Sequence, residues 1–291
     1  MMRCLLILLL CCVHSSAEVS YMPPLDAANQ AARAKSLIHL RQLPATTDHE
    51  LATFLPATDS PDSLRYFFYR PAPSAHHTDQ KLPLVVVLHH AGAQYRLEDI
   101  VRSNPESIGR WLEPASQQAH PCYVVAPWSG GQHWENGNWK IMAPMAHEAS
   151  RNAKLALALI DALVHDLPID RERIYVVGQS MGGFGVWDLV SRRPDFFAAA
   201  IPVCGGGDPA QAERLKDLPI WAFHGDADHV IRVEHSRQMA TALAAAGSTR
   251  FRYWEFPDAG HDPCSERTYT EPGLSEWLFA QKAHVKSLKN P

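Results

Sequence analysis

Arg173-Ile174-Tyr175-Val176-Val177-Gly178-Gln179-Ser180-Met181-Gly182-Gly183-Phe184-Gly185-Val186-Trp187 is the stretch that decides the fold. Its first five residues are mostly β-branched or aromatic and read as a buried strand. After Gly183 the apolar residues return at roughly helical spacing. Between the two lies G-x-S-x-G, centred on Ser180. A strand that turns this sharply into a helix leaves no room for side chains at the flanking glycines and pushes the serine hydroxyl into the open. It also sets that hydroxyl at a helix N-terminus, where free N–H groups and the dipole favour developing negative charge. The five-residue pattern alone arises by chance in about one chain in ten of this length. Its weight comes from the strand before it and the helix after it. Ser180 is the expected nucleophile.

Working outward, Leu84-Val85-Val86-Val87-Leu88 is an unbroken apolar run of the kind covered on both faces. Leu64–Arg70, closed by Pro71 and Pro73, reads as an edge strand. A helix is expected over 107–119, a strand over 122–127 and an Ala/Leu-rich helix over 149–163. Beyond the serine helix come strands over 198–204 and 219–224, a helix over 232–246, a strand over 251–256 and a helix over 274–282. Strands alternating with helices predict an α/β class: a mostly parallel central sheet with helices on both faces. Residues 25–43 have a helix-like, Ala-rich pattern. The Pro- and Thr-punctuated stretch 44–61 reads as a connector.

A nucleophilic serine needs a base to take its proton and a carboxylate to orient that base. Both follow in the chain, each about one strand–helix–strand excursion after the last. His224-Gly225-Asp226-Ala227-Asp228-His229-Val230 leaves the strand ending at Phe223, and Ala259-Gly260-His261-Asp262 leaves the strand ending at Phe256. Ser180, the acid and His261 are thus expected at the carboxyl edge of one sheet. Asp228 is the expected acid and Asp226 the alternative. Asp226 directly follows a glycine and suits a turn, whereas Val230 is expected to return the Asp228 loop to the core. His224 is expected to be packed, and His229 and His235 to lie on the surface. Two backbone donors should hold the oxyanion: the N–H of Met181, and an N–H from His90 or Ala91 in the turn after Leu88. Trp128, Trp134 and Trp139 punctuate a Gly-rich loop after a strand and are candidates to line a substrate pocket. The alternative is that they cover the sheet edge.

The chain has 291 residues, 46% hydrophobic and 20% charged, with a net charge of −4. That composition suits a globular domain and gives no electrostatic footprint for nucleic acid. Residues 1–17 read as a secretory signal: Arg3, an apolar core from Cys4 to Val13, then Ser15-Ser16-Ala17. The core is too short for a comfortable bilayer span, so no stable membrane insertion is expected. Lipidation at Cys11 or Cys12 is the rival reading, opposed by the absence of a small residue before either cysteine. Residues 18–63 are read as an extension and connector and 64–291 as one catalytic domain. Cys122, Cys204 and Cys264 remain beyond the signal, an odd number that leaves at least one thiol unpaired. No metal or organic cofactor is expected. The adjacent His76-His77 in a polar loop reads as solvated.

Taken together these residues resemble a secreted branch of the α/β-hydrolase superfamily, the predicted-peptidase or phospholipase/carboxylesterase-like proteins. These are related to dienelactone hydrolases, polyhydroxybutyrate depolymerases and feruloyl esterases. The resemblance runs from about Leu64 to Lys282. It is carried by Leu88-His89-His90-Ala91-Gly92, by Asp170 through Gly183, by Ile201 through Asp208, by Trp221 through Asp228, and by Gly260-His261-Asp262. It implies a Ser180–Asp228–His261 triad and hydrolysis of a small-molecule or polysaccharide ester. A serine peptidase resembling the prolyl oligopeptidase group, or an inactive carbohydrate-binding homologue, are the alternatives. The departures are His90, where relatives carry glycine, and Pro263-Cys264, where a bulkier aromatic is common. Both bear on pocket shape.

Overall fold

Alternation within Leu84–Leu88 builds the two cores. Leu84, Val86 and Leu88 enter one apolar cluster and Val85 and Val87 the other, as the period of two along a strand requires. The computed structural model describes residues 19–21, 49–54, 63–71, 80–94, 97–130, 139 and 143–283. Its strands are β1 (Val19–Tyr21), β2 (His49–Phe54), β3 (Leu64–Tyr69), β4 (Leu82–Leu88), β5 (Tyr123–Pro127), β6 (Ile169–Gln179), β7 (Ala199–Val203), β8 (Ile220–Gly225) and β9 (Phe251–Phe256). They form one sheet in the order β1-β9-β8-β7-β6-β4-β5-β3-β2. Every pair from β1 to β5 along this order is parallel, and β3 and β2 add an antiparallel edge. The mostly parallel α/β fold read from the sequence is the fold observed.

Helices α1 (Arg151–Asp166), α2 (Met181–Arg192) and α3 (Glu234–Ala245) contribute Leu159, Trp187 and Leu243 to the first core. Helices α4 (His261–Tyr269) and α5 (Leu274–Phe279) contribute Tyr269 and Leu278 to the second. Each such fully buried large apolar side chain stabilises the fold by roughly 1.5–3 kcal/mol. Ser150 caps α1, its hydroxyl accepting from the Ala153 N–H at 3.2 Å.

Three local expectations are revised. The single helix expected over 107–119 is broken at Glu113, whose ψ of 136° precedes Pro114, and Pro114–Ala119 begins afresh. Proline disfavours helical geometry in the residue before it, and that outweighs the apolar spacing. His49–Phe54, within the stretch read as a connector, is an edge strand paired with β3. The helix α4 beginning at His261 was not anticipated, because Asp262-Pro263-Cys264 carries little apolar periodicity. The signal-like segment, the helix-like 25–43 and His76-His77 lie outside the described residues.

Candidate active site

Ser180 ends β6 and begins α2 with φ 57° and ψ −120°. This positive φ is strained for a residue with a side chain, at a cost of roughly 1–3 kcal/mol, and the surrounding turn holds it there. The Ser180 N–H donates to Val203 O at 2.8 Å, tying the turn to β7. A Cβ at Gly182 would sit 1.9 Å from Leu88 O and one at Gly178 would sit 2.6 Å from Gly182 O. Both glycines are therefore required by close backbone approach.

The acid and base loops are sewn together by their backbones. Asp226 N–H donates to Phe256 O at 3.2 Å, and Ala227 N–H to Ala259 O at 3.1 Å. That seam delivers Asp228 to His261, the first residue of α4. His261 Nδ1 lies 2.6 Å from Asp228 Oδ2, and His261 Nε2 lies 2.8 Å from Ser180 Oγ. A carboxylate only accepts, so Nδ1 carries the proton and Nε2 is left to receive one from serine. Asp228 Oδ1 accepts from the N–H groups of Val230 at 2.8 Å and Ile231 at 2.9 Å. Burial alone would raise the Asp228 pKa, but the hydrogen bonds from His224, His261 and the Ile231 N–H outweigh it and hold the carboxyl well below its usual range. The Asp228 carboxylate is ionised, it orients the His261 ring, and the Ser180 hydroxyl is hydrogen-bonded to that ring.

Of the two aspartates it is Asp228 that meets His261, while Asp226 is exposed. The reason differs from the expected one. Val230 is 72% exposed and does not return to the core; the Asp228 carboxylate itself closes the turn through the N–H groups of Val230 and Ile231, and Ile231 is the residue that is buried. His229 is exposed, but His235 is half-buried against the edge of Phe184, 5.8 Å between ring centroids.

The turn after β4 narrows the choice of oxyanion donor. His90 N–H donates to Asn104 Oδ1 at 3.4 Å, and Gly92 N–H donates to His90 Nδ1 at 2.9 Å. Ala91 is exposed and its N–H meets no acceptor among the described residues. The Met181 N–H, at the start of α2, has no partner within its own helix. His89 shapes this turn from behind. Its Nδ1 donates to His90 O at 2.8 Å and its Nε2 accepts from Ser129 N–H at 2.8 Å, while the Ser129 hydroxyl accepts from Asn152 Nδ2 at 2.9 Å. Burial, partly offset by the bond to His90 O, pushes the His89 imidazole down to about 4. The sequence reading overlooked His89. Its signal was a polar residue directly after an all-apolar strand.

Two of the three tryptophans are not open to a pocket. Trp139 is 1% exposed, joins Leu88 and Trp187 in the core and occupies the notch left by Gly185, where a Cβ would fall 2.8 Å from its own. Trp128 is half-buried at the β3 edge, its N–H bonded to Arg65 O at 2.8 Å and the Arg65 guanidinium 5.3 Å from its ring. Both cover the sheet; large flat apolar rings gain more by burial than by display. Trp134 lies outside the described residues.

The three thiols are free and buried, and Cys204 lies in side-chain contact with Cys264. Cys204, His224 and Asp228 offer ligand atoms within 4.8 Å of one another, the one such group among the described residues. Hydrogen bonds already engage the His224 ring and Asp228. Among the described residues no helix is long and apolar enough to cross a membrane.

A model of the dienelactone hydrolase family matches residues 130–270, the span that holds Ser180, Asp228 and His261. The crystal structure of a thermostable esterase superposes with a TM-score of 0.71 at 34% identity, covering 81% of this chain and 63% of that one. NocK of Nocardia uniformis subsp. tsuyamanensis, named as an esterase, is 32% identical over 75 residues, which is 25% of this chain and 22% of NocK. A protein of Arthroderma benhamiae named as secreted is 26% identical over 219 residues, 62% of this chain and 21% of that protein. The chain thus spans about a fifth of the length of these two relatives. The acylaminoacyl peptidase of Pyrococcus horikoshii, at 14% identity, TM-score 0.55 and coverage of 83% of this chain and 43% of that one, shares the fold alone.

Proposed function

Since the chain is an α/β-hydrolase related to the dienelactone hydrolases, we propose that it is a secreted serine hydrolase that cleaves carboxylic esters through an acyl-enzyme. The observation that carries this reading is the unbroken hydrogen-bond chain Ser180 Oγ–His261 Nε2 and His261 Nδ1–Asp228 Oδ2, at 2.8 and 2.6 Å. Ser180 Oγ attacks the ester carbonyl carbon as its proton passes to His261 Nε2. The N–H groups of Met181 and Ala91 receive the oxyanion, and Asp228 steadies the imidazolium. The tetrahedral adduct collapses, the C–O bond to the alcohol breaks, and His261 returns the proton to the departing oxygen. Water then attacks the acyl-serine with His261 again as base, releasing the carboxylic acid and restoring Ser180. Secretion is supported by the signal-like pattern of residues 1–17 and by the Arthroderma relative named as secreted.

An active-site phosphonate tests the assignment together with Ser180→Ala. The expected result is one phosphonyl adduct on the peptide containing Ser180, and loss of ester hydrolysis by several orders of magnitude in a variant that still folds. Turnover within tenfold of wild type in purified Ser180→Ala, or an adduct elsewhere, would remove Ser180 from its role.

A further inference from the structure

The triad acid is gripped by a second histidine. His224 lies in β8 with its ring fully buried. Its Nε2 is 2.9 Å from Ile231 O and 3.4 Å from Asp228 Oδ2, the same oxygen that faces His261. Its Nδ1 is 2.7 Å from Ser236 Oγ, and that oxygen lies 3.1 Å from Gly205 O, just beyond β7. A carbonyl oxygen can only accept, so Nε2 must carry a proton. That N–H donates to Ile231 O, and Asp228 Oδ2 lies 3.4 Å from the same nitrogen. Ile231 in turn donates its own N–H to Asp228 Oδ1 at 2.9 Å. His224 therefore touches both ends of the turn that carries the acid.

We propose that His224 is a positioning residue for the triad acid: its Nε2–H, donated to Ile231 O with Asp228 Oδ2 3.4 Å from the same nitrogen, holds the turn 228–231 so that Oδ2 faces His261 Nδ1. Any buried histidine must satisfy its two ring nitrogens; what sets His224 apart is that its protonated nitrogen binds the far end of the acid's own turn and lies 3.4 Å from the carboxylate oxygen that faces His261. Anchorage through Ser236 to Gly205 O makes the ring a rigid strut. The line Gly205 O–Ser236–His224–Asp228–His261–Ser180 runs from the end of β7 to the nucleophile. Such outer groups commonly fix the rotamer of the groups they support. The proposal rests on the reading of Ser180, His261 and Asp228 as a triad, and His224 acts only through Asp228.

A double-mutant cycle tests it on the full chain. Hydrolysis of p-nitrophenyl butyrate and phosphonate labelling of Ser180 are followed in wild type, His224→Leu, His224→Gln, Asp228→Asn and the double variant His224→Leu/Asp228→Asn. His224→Leu is expected to lower kcat about 10- to 100-fold with KM within about twofold. His224→Gln, which keeps an N–H donor, should recover most of that loss. Once Asp228 is asparagine, the further change at His224 should slow labelling by less than about twofold, because the group it positions is gone. An equal fold-loss in both backgrounds, or a folded His224→Leu with kcat within twofold of wild type, would overturn the proposal. If His224→Leu fails to fold, Ser236→Ala is carried through the same cycle. It should cost about 3- to 10-fold in kcat, vanishing with Asp228→Asn; a loss that persists there overturns the strut. Wild type that is neither labelled at Ser180 nor active on the ester would instead refute the triad reading, and the proposal with it.

Discussion

Lowering the pH from 7 to 4 is expected to destabilise the protein through His89, and the size of the effect follows from the site. His89 is fully buried, donates from Nδ1 to His90 O and accepts at Nε2 from the Ser129 N–H. Protonating Nε2 would set a donor against a donor at 2.8 Å inside a fully buried site. Burial lowers the folded value from 6.5 to about 4. The unfolded chain takes up this proton near pH 6.5, while the folded chain resists until about pH 4. The stabilisation is therefore fully present above about 6.5 and is lost as the pH falls toward 4. A gap of about 2.5 pH units, at about 1.4 kcal/mol each, corresponds to about 3.5 kcal/mol, of which about 3 kcal/mol is lost by pH 4, where the folded group is half protonated. His89→Gln removes the titrating group while its side-chain oxygen can still accept from Ser129. Urea unfolding of both proteins at half-unit steps from pH 7 to 4 gives the measurement, since the carboxylates common to both cancel in the difference. The stability advantage of wild type over His89→Gln should shrink by about 3 kcal/mol across that window. Parallel curves would refute the reasoning and assign the acid sensitivity to other groups.

Two further outcomes follow from the acid and oxyanion geometry. Asp228→Asn should reduce kcat by about 10⁴, because the amide can present a donor to Nδ1 and favour the wrong imidazole tautomer, whereas the exposed Asp226→Asn should leave kcat within a few-fold; the reverse ranking in steady-state kinetics would move the acid. Ala91→Pro deletes the one amide N–H of the His90–Gly92 turn that meets no acceptor among the described residues and should cut kcat by about 10²–10³ with Ser180 still labelled by a phosphonate. Unchanged kcat in that variant would return the donor role to His90.

The placement of the candidate site residues was legible where a particular residue type falls at a particular place in a strand–turn–helix pattern. Ser180 between its glycines, His261 after Gly260 and the apolar runs of β4 and β6 could be placed because period, turn chemistry and order along the chain all agree there. That Asp228 rather than Asp226 meets His261 was also readable, but its stated cause was not. The sequence offered Val230 as the anchor, and the turn is instead closed by Asp228's own hydrogen bonds with Val230 left exposed. Trp128 and Trp139 cover the sheet instead; a large aromatic in a Gly-rich loop has the same pattern whether it faces a ligand or a sheet. For Trp139 the notch at Gly185, 46 residues along the chain, settled the matter. The partners of His89 and His224 are likewise remote in sequence or tertiary in origin: Ser129 lies 40 residues from His89, and Ser236 meets Gly205 across 31. Local pattern determined the strands, the elbow and the order in which Ser180, Asp228 and His261 reach the sheet edge, because backbone sterics and hydrophobic period act between near neighbours. Only the folded sheet decided which polar atoms face each other at its carboxyl edge, because a buried hydrogen bond is selected by the cost of leaving its partner unmet, and that partner is brought in by another strand.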